Sequence, residues 1–247
     1  MNTESLFDLF NEAAVAVRDA VAAIPLERRR DRTGRSGQYA LDVVADTAVC
    51  AVLEKAPVRI VSEESGLHDR SGSVTVVVDP VDGSTNCARG ISYWATSICA
   101  LDDAGALAAL VVNQATGVRT WAIRNEGAFR EGAELRASKV TMVEDAVVLL
   151  TGTPARTLPW KQFRALGCAA LSLCDVAAGG LDGYVDSAAF HAPWDYLGGL
   201  LACREAGAVV RSVTGEELVT SAVTARRQII AAGTSELADA LLGAARA

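Results

Sequence analysis

Histidine is scarce in this chain, which has only His68 and His191 among its 247 residues. The six cysteines, at positions 50, 87, 99, 168, 174 and 203, lie far apart and form no C-x-x-C pair. Together these scarcities argue against a zinc cluster and against a disulfide framework, and they fit a reduced, cytoplasmic protein. Aromatic residues make up 5% of the chain, so its core must be built mostly from alanine, valine and leucine. No apolar run approaches the length of a membrane span, and residues 1–24 are acidic and amphipathic rather than laid out as a signal peptide. A basic excess is missing too: the net charge of -7 argues against a nucleic-acid partner. A small anionic substrate is still compatible with that charge, because bound cations reverse the local potential. Lysine is rare beside arginine, which with the abundant alanine points to a GC-rich bacterial genome.

What is present reads as an ordered series of elements. Leu6, Leu9, Phe10, Ala13, Val17, Ala20 and Val21 recur at helical spacing and predict an amphipathic helix from Ser5 to Ile24. A basic run from Arg28 to Arg35 follows; it is either a solvated loop or a mobile one that reaches an anionic ligand. A second helix is predicted over Tyr39–Lys55 with Leu41, Val44, Ala45, Ala48, Val49 and Val52 facing inward. Strands are predicted at Val58–Val61, Thr96–Leu101, Leu107–Asn113, Val118–Ile123, Gly127–Arg130, Ala146–Leu150, Gly183–Asp186 and Val209–Val213, with a hairpin turn at Asp102–Gly105. Further helices are predicted at Trp160–Leu166, Leu171–Ala178, Trp194–Glu205 and Ser235–Ala245. The chain changes character around Arg136–Glu144, which divides it into an α+β part, residues 1–138, and an α/β part, residues 139–247.

The central stretch runs from Val76 to Asn86. Three valines predict a buried strand, and Pro80 with Gly83 ends it in a tight turn. That turn carries Asp79 and Asp82, then the hydroxyls of Ser84 and Thr85. Two carboxylates on one short turn repel each other and call for a counter-charge, which a hard divalent cation such as Mg2+ supplies through oxygen ligands. Gly83 admits close backbone approach, and the amides of Gly83, Ser84 and Thr85 suit an anion. Taken alone, the same turn also reads as a polar loop with Asx-type hydrogen bonds.

Two further acidic segments stand in order around it: Ser62-Glu63-Glu64-Ser65-Gly66 upstream and Pro193-Trp194-Asp195-Tyr196-Leu197-Gly198-Gly199 downstream. With Gly167–Asp186, these segments resemble the inositol monophosphatase-like superfamily of metal-dependent phosphatases over nearly the whole chain. The resemblance implies a layered αβαβα sandwich and hydrolysis of a small phosphorylated metabolite, inositol-phosphate-like or sugar-phosphate-like, by metal-activated water. It implies two or three Mg2+ ions, held by Glu64, Asp79, the Val81 carbonyl, Asp82 and Asp195, with Glu64 taken as the primary ligand over Glu63. Ser84 and Asp42 would orient or deprotonate the water, and Gly83, Ser84 and Thr85 would bind the phosphate. Asp42 and Asp195 each have a simpler reading as well, since both open predicted helices where an acid is favoured. A covalent Ser84 nucleophile is set aside because neither histidine sits in a recognisable triad context. Family members are commonly homodimers.

The resemblance is weaker at the substrate pocket. Inositol-type members carry a glutamate seven residues before the W-D aspartate, and Ala188 stands there instead. Asp186 takes over that role if the segment holds an insertion, and Phe190 and His191 are further candidates for the pocket wall. Arg89 either contacts a second anionic group or anchors its loop. Bisphosphate nucleotidase and histidinol-phosphate phosphatase activities therefore stay open, as does a binding protein on the same fold.

Overall fold

A computed structural model of the chain describes residues 1–69, 71–154 and 156–245. The first apolar stripe forms α1 (Thr3–Ala22), capped by the Asn2 side chain, which accepts the Ser5 amide at 2.9 Å. α2 (Ala40–Leu53) packs against it. One position of the expected inward face differs: Val44 is 41% exposed and Asp46 is buried. Asp46 tolerates burial because the hydroxyls of Ser62 and Ser65 both donate to its Oδ1.

Eight strands form the first sheet: β1 (Arg59–Ser62), β2 (Gly66–His68), β3 (Thr75–Asp82), β4 (Ala95–Asp102), β5 (Gly105–Asn113), β6 (Arg119–Ile123), β7 (Gly127–Arg130) and β8 (Ala133–Glu134), in the order β2-β1-β3-β4-β5-β6-β7-β8. β1 and β3 run parallel, with Ser62 level with Val78, so Glu63 and Asp79 leave the two strands side by side. A short helix, α3 (Ser84–Arg89), separates β3 from β4. The second sheet holds β9 (Val147–Thr151), β10 (Gln162–Arg164), β11 (Gly183–Asp186), β12 (Val209–Ser212) and β13 (Ile229–Ala232), ordered β10-β9-β11-β13-β12. Between these strands lie α4 (Ala169–Ala177) and α5 (Pro193–Glu205), and α6 (Ser235–Ala245) follows the last strand.

Three apolar clusters bind these elements into layers. α1 and α2 cover one face of the first sheet. α4 and α5 fill the space between the two sheets. α6 covers the far face of the second sheet. The result is the αβαβα sandwich. The first sheet ends at Glu134 and the second begins at Val147, on either side of the segment where the sequence changes character.

The predicted helix at Trp160–Leu166 is instead the edge strand β10. Gln162–Arg164 pairs in parallel with Val147–Leu149, and the ladder outweighs the residues' helical preference. β2, β8, β13 and α3 were not predicted. β13 is wholly buried between two antiparallel neighbours, so no apolar–polar alternation betrays it.

Candidate active site

The parallel strands of both sheets deliver their carboxyl ends to one region, the usual place for a ligand in such sheets. β3 continues past Pro80 but shifts register against β4 between Asp79 and Asp82, and this irregularity turns both acids to the same region. The αL turn at Gly83 (φ 90°) then reverses the chain into α3. A Cβ at Gly83 would stand 3.0 Å from the Gly167 carbonyl and 3.2 Å from that of Tyr93, so a larger residue crowds both carbonyls and strains the left-handed backbone. Asn86 ties the same turns together, its Nδ2 donating to the carbonyls of Tyr93 and Leu166 at 2.7 Å each.

Each aspartate of the site has one oxygen fixed by a backbone amide. Asp79 Oδ1 accepts the Val81 amide at 2.9 Å, and Asp82 Oδ2 accepts that of Ala170 at 2.6 Å. Asp42 and Asp195 occupy the third positions of α2 and α5, where Oδ2 accepts the amides of Tyr39 at 2.8 Å and Ala192 at 2.7 Å. Capping and ligand presentation are thus compatible in one side chain. α5 lies deep between β4 and α4 because Gly199 spares a contact with Leu173: a Cβ there would fall 2.4 Å from Leu173 Cβ. Asp195 is held correspondingly firmly.

The charges crowd one another. Burial, then the charge of Asp195, pushes Glu63 up to about 8, although its hydrogen bond with Asp79 works the other way. Burial and the charges of Glu63, Asp82 and Asp195 raise Asp79 well above the usual carboxylate range. Asp82 rises to about 6 through burial and Asp195, against the Ala170 amide and the Cys168 thiol. Asp42 also rises to about 6 through burial, held back by the Tyr39 amide and the neighbouring Ser84 hydroxyl. Its buried Oδ1 has no hydrogen-bond partner. Among the described residues, no lysine or arginine forms an ion pair with Glu63, Asp79, Asp82 or Asp195.

Among the described residues, no three His, Cys, Asp or Glu side chains already converge tightly enough to hold an ion as they stand. The donor set nevertheless fits a hard divalent cation: it is all oxygen, with Asp79 buried and the others half-buried, anchored through one oxygen per aspartate, and short of positive charge.

The two adjacent glutamates separate. Glu63 points to Asp79 and Asp195, whereas Glu64 accepts hydrogen bonds from Gln38 and from Arg35, the latter at 3.4 Å. Successive side chains around a strand end face opposite ways, which accounts for the split. Arg35 brings the basic run to the site rather than leaving it wholly in solvent. With Gly37, Gln38, Asp42, Glu63, Glu64 and Ser84 it lines a cavity of 230 Å³. A larger cavity of 540 Å³ lies between α1 and β6, but its wall includes Phe7, Leu110 and Trp121 and none of the clustered acids.

Other expected residues fall as follows. Ser84 Oγ donates to the Val81 carbonyl at 3.0 Å, and Thr85 Oγ1 is 3.2 Å from the Tyr39 hydroxyl. Arg89 is exposed on the last turn of α3. Asp186 ends β11 fully buried, with Oδ1 accepting the amides of Ala188 and Ala189 and Oδ2 unpartnered. His191 is buried, with Nδ1 3.4 Å from Asp195 Oδ2 and Nε2 2.6 Å from the Tyr184 hydroxyl. Burial opposes its protonation, but Asp195, Asp186 and Asp82 outweigh that and raise it. Phe190 is exposed.

His68 departs from expectation: its ring bridges Ser65 Oγ at 2.8 Å and Glu54 Oε1 at 3.0 Å. The Ser65 hydroxyl donates to buried Asp46, however, so its proton is already committed and the network ties the β1–β2 hairpin to α2. Sequence reasoning also missed Cys168, whose Sγ donates to Asp82 Oδ2 at 3.1 Å.

The inositol monophosphatase family model matches residues 6–247. A fructose-1,6-bisphosphatase/inositol-1-monophosphatase of Archaeoglobus fulgidus is 33% identical, over 88% of this chain and 88% of that protein. The Nus factor SuhB of Escherichia coli is 30% identical, over 81% of this chain and 84% of its own. A solved inositol monophosphatase–fructose 1,6-bisphosphatase superposes with a TM-score of 0.87 at 25% identity, covering 98% of this chain and 99% of the other. The chain belongs to the inositol monophosphatase family of metal-dependent phosphomonoesterases.

Proposed function

We propose that this enzyme removes phosphate from a small phosphorylated polyol or sugar and that its cation is Mg2+. One observation carries the reading: Glu63, Asp79, Asp82 and Asp195 are gathered from the ends of β1 and β3 and the start of α5, Asp79 buried and the others half-buried, and among the described residues no lysine or arginine pairs with them, His191 alone standing beside Asp195. Glu63 takes the ligand role expected of Glu64, because Glu63 faces Asp79 and Glu64 faces Arg35. With Asp79, the Val81 carbonyl, Asp82 and Asp195 it would hold two or three ions. When bound, such ions polarise a phosphate and lower the pKa of water.

The chain's own groups supply the rest. Asp42, with one oxygen anchored and the other unpartnered, accepts a proton beside the Ser84 hydroxyl. The amides of Gly83, Ser84 and Thr85 receive phosphate oxygens. Arg35 stands at the rim, where exchanging Glu64 for phosphate draws the basic loop over the substrate. Asp186 and the Ala188–His191 segment form the wall towards the alcohol. The names of the relatives favour fructose bisphosphate or inositol phosphate as the alcohol's class. A cytoplasmic homodimer belongs to the reading on resemblance alone.

The test is phosphate release with Mg2+ from inositol-1-phosphate, fructose-1,6-bisphosphate, histidinol phosphate and adenosine 3′,5′-bisphosphate, with Asp79→Asn as control. Turnover of one of the first two, lost in the control, is expected. Strong turnover of the bisphosphate nucleotide or histidinol phosphate alone overturns the polyol or sugar assignment. Silence on all four, despite Mg2+ binding, favours a binding role instead.

A further inference from the structure

Cys168 is the residue before α4 and is 2% exposed. Its side chain does not cap its own helix. That task falls to Asp82, whose Oδ2 receives the Ala170 amide at 2.6 Å and the Cys168 thiol at 3.1 Å. Two donors from different directions on one oxygen fix the rotation of a carboxylate, and so the direction of its other oxygen. The thiol has little room to move. The Cys168 Cβ lies 3.3 Å from where a Cβ on Gly83 would stand, and Asn86 clamps the two turns through the Leu166 carbonyl at 2.7 Å. Backbone conformation helps as well: Cys168 is extended, at φ −146° and ψ 112°, and aims its side chain at Asp82 rather than along the helix.

We propose that Cys168 is a positioning residue, whose thiol acts with the Ala170 amide to orient Asp82 and thereby sets the affinity of the site for its divalent cation. This rests on the metal-site reading above. The claim concerns the hydrogen-bond donor and not sulfur as such. Serine keeps a donor at this position, whereas alanine removes it, and valine removes it with a larger side chain that leaves no cavity.

The experiment is calorimetric and thermal-shift titration of Mg2+ into the full chain, comparing wild type with Cys168→Ser, Cys168→Ala and Cys168→Val. Cys174→Ala serves as a packing control, since Cys174 is buried in the same helix. Loss of the donor is expected to weaken Mg2+ binding about tenfold in the alanine and valine variants, the lower end for groups that orient metal ligands. The serine variant is expected to stay within about threefold of wild type, as hydrogen-bond rescue requires. Cys174→Ala is expected to lower the melting temperature and leave Mg2+ affinity unchanged. Wild-type affinity in Cys168→Val, or a serine variant as weak as valine, overturns the proposal; the valine comparison decides it even if alanine does not fold. Failure of the wild-type chain itself to bind Mg2+ overturns the metal reading and this inference with it.

Discussion

Asp82 caps a helix that begins far beyond its own strand: its Oδ2 accepts the amide hydrogen of Ala170, 88 positions along the chain, at 2.6 Å. The positive end of α4 favours the ionised carboxylate. Burial and the charge of Asp195 nevertheless win, and raise its pKa to about 6. Removing that charge should therefore separate chemistry from stability. Asp82→Asn keeps an oxygen for Ala170 and deletes a buried charge. We expect phosphate release to fall by about 10³-fold or more, as loss of a metal ligand demands. The metal-free melting temperature should hold or rise. A variant that turns over at the wild-type rate would remove Asp82 from the metal site.

The neighbouring glutamates offer a sharper comparison. Glu63→Gln is expected to abolish most activity and weaken Mg2+ binding by about 100-fold or more. Glu64→Gln loses only its ties to Arg35 and Gln38, and should cost about tenfold or less, mainly in KM. Parallel kinetics of the two variants check this. The reverse ranking would restore Glu64 as the ligand.

Acidity links the same cluster to stability. The folded pKa of Glu63 is raised from 4.5 to about 8, and those of Asp82 and Asp42 from 3.8 to about 6. Between those limits the folded chain holds protons that the unfolded chain has released, so stability falls as pH rises. It is fully present below about pH 4, where both states are protonated, and is lost through pH 6 to 8. His191, also raised, adds with the same sign. We expect the melting temperature in chelator to drop from pH 5 to 8.5, and saturating Mg2+ to flatten that drop by binding the deprotonated acids. Scanning calorimetry in both buffers decides; a rise in chelator would contradict the assignment.

Arg35 is exposed, and its ion pair with Glu64 contributes little to folding, on the order of 1 kcal/mol or less. Arg35→Ala should leave the melting temperature nearly unchanged. Its effect should appear as a KM raised by roughly threefold to tenfold, more at low ionic strength, if the loop meets phosphate. Steady-state kinetics at two salt concentrations read this directly.

The sequence was most legible where local rules and the fold agree. Gly183–Asp186, Gly127–Arg130 and Ser235–Ala245 are read to the residue, because turn glycines, or Thr234 whose Oγ1 accepts the Leu237 amide, mark their ends. The central turn alone left two readings open, and it was the two further acidic segments in order around it that singled it out. The ranking of Glu64 over Glu63 was made without the register of β1 on β3, which sets Glu63 beside Asp79 and which no local pattern encodes. Cys168 was invisible for a related reason: only tertiary packing brings it to Asp82. The helix expected at Trp160–Leu166 failed because an edge strand takes its conformation from its neighbour. Asp46 lies outside the inward face that apolar spacing predicts, because the serines that satisfy it come from β1 and the turn after it.

The origin of each group in the chain has a consequence for how such an enzyme diverges. Glu63, Asp79 and Asp82 issue from two adjacent parallel strands, whose register allows almost no change in length. Between buried Asp186 and His191, Ser187 to Phe190 instead forms a surface connection from β11 towards α5, where Ala189 already adopts a left-handed φ of 57° and Phe190 faces solvent. Residues can be gained or lost there without moving the acids from the first sheet. On the proposed assignment of these groups, descendants of one phosphatase exchange one alcohol for another by editing a single loop, while the hydrolytic apparatus is inherited intact.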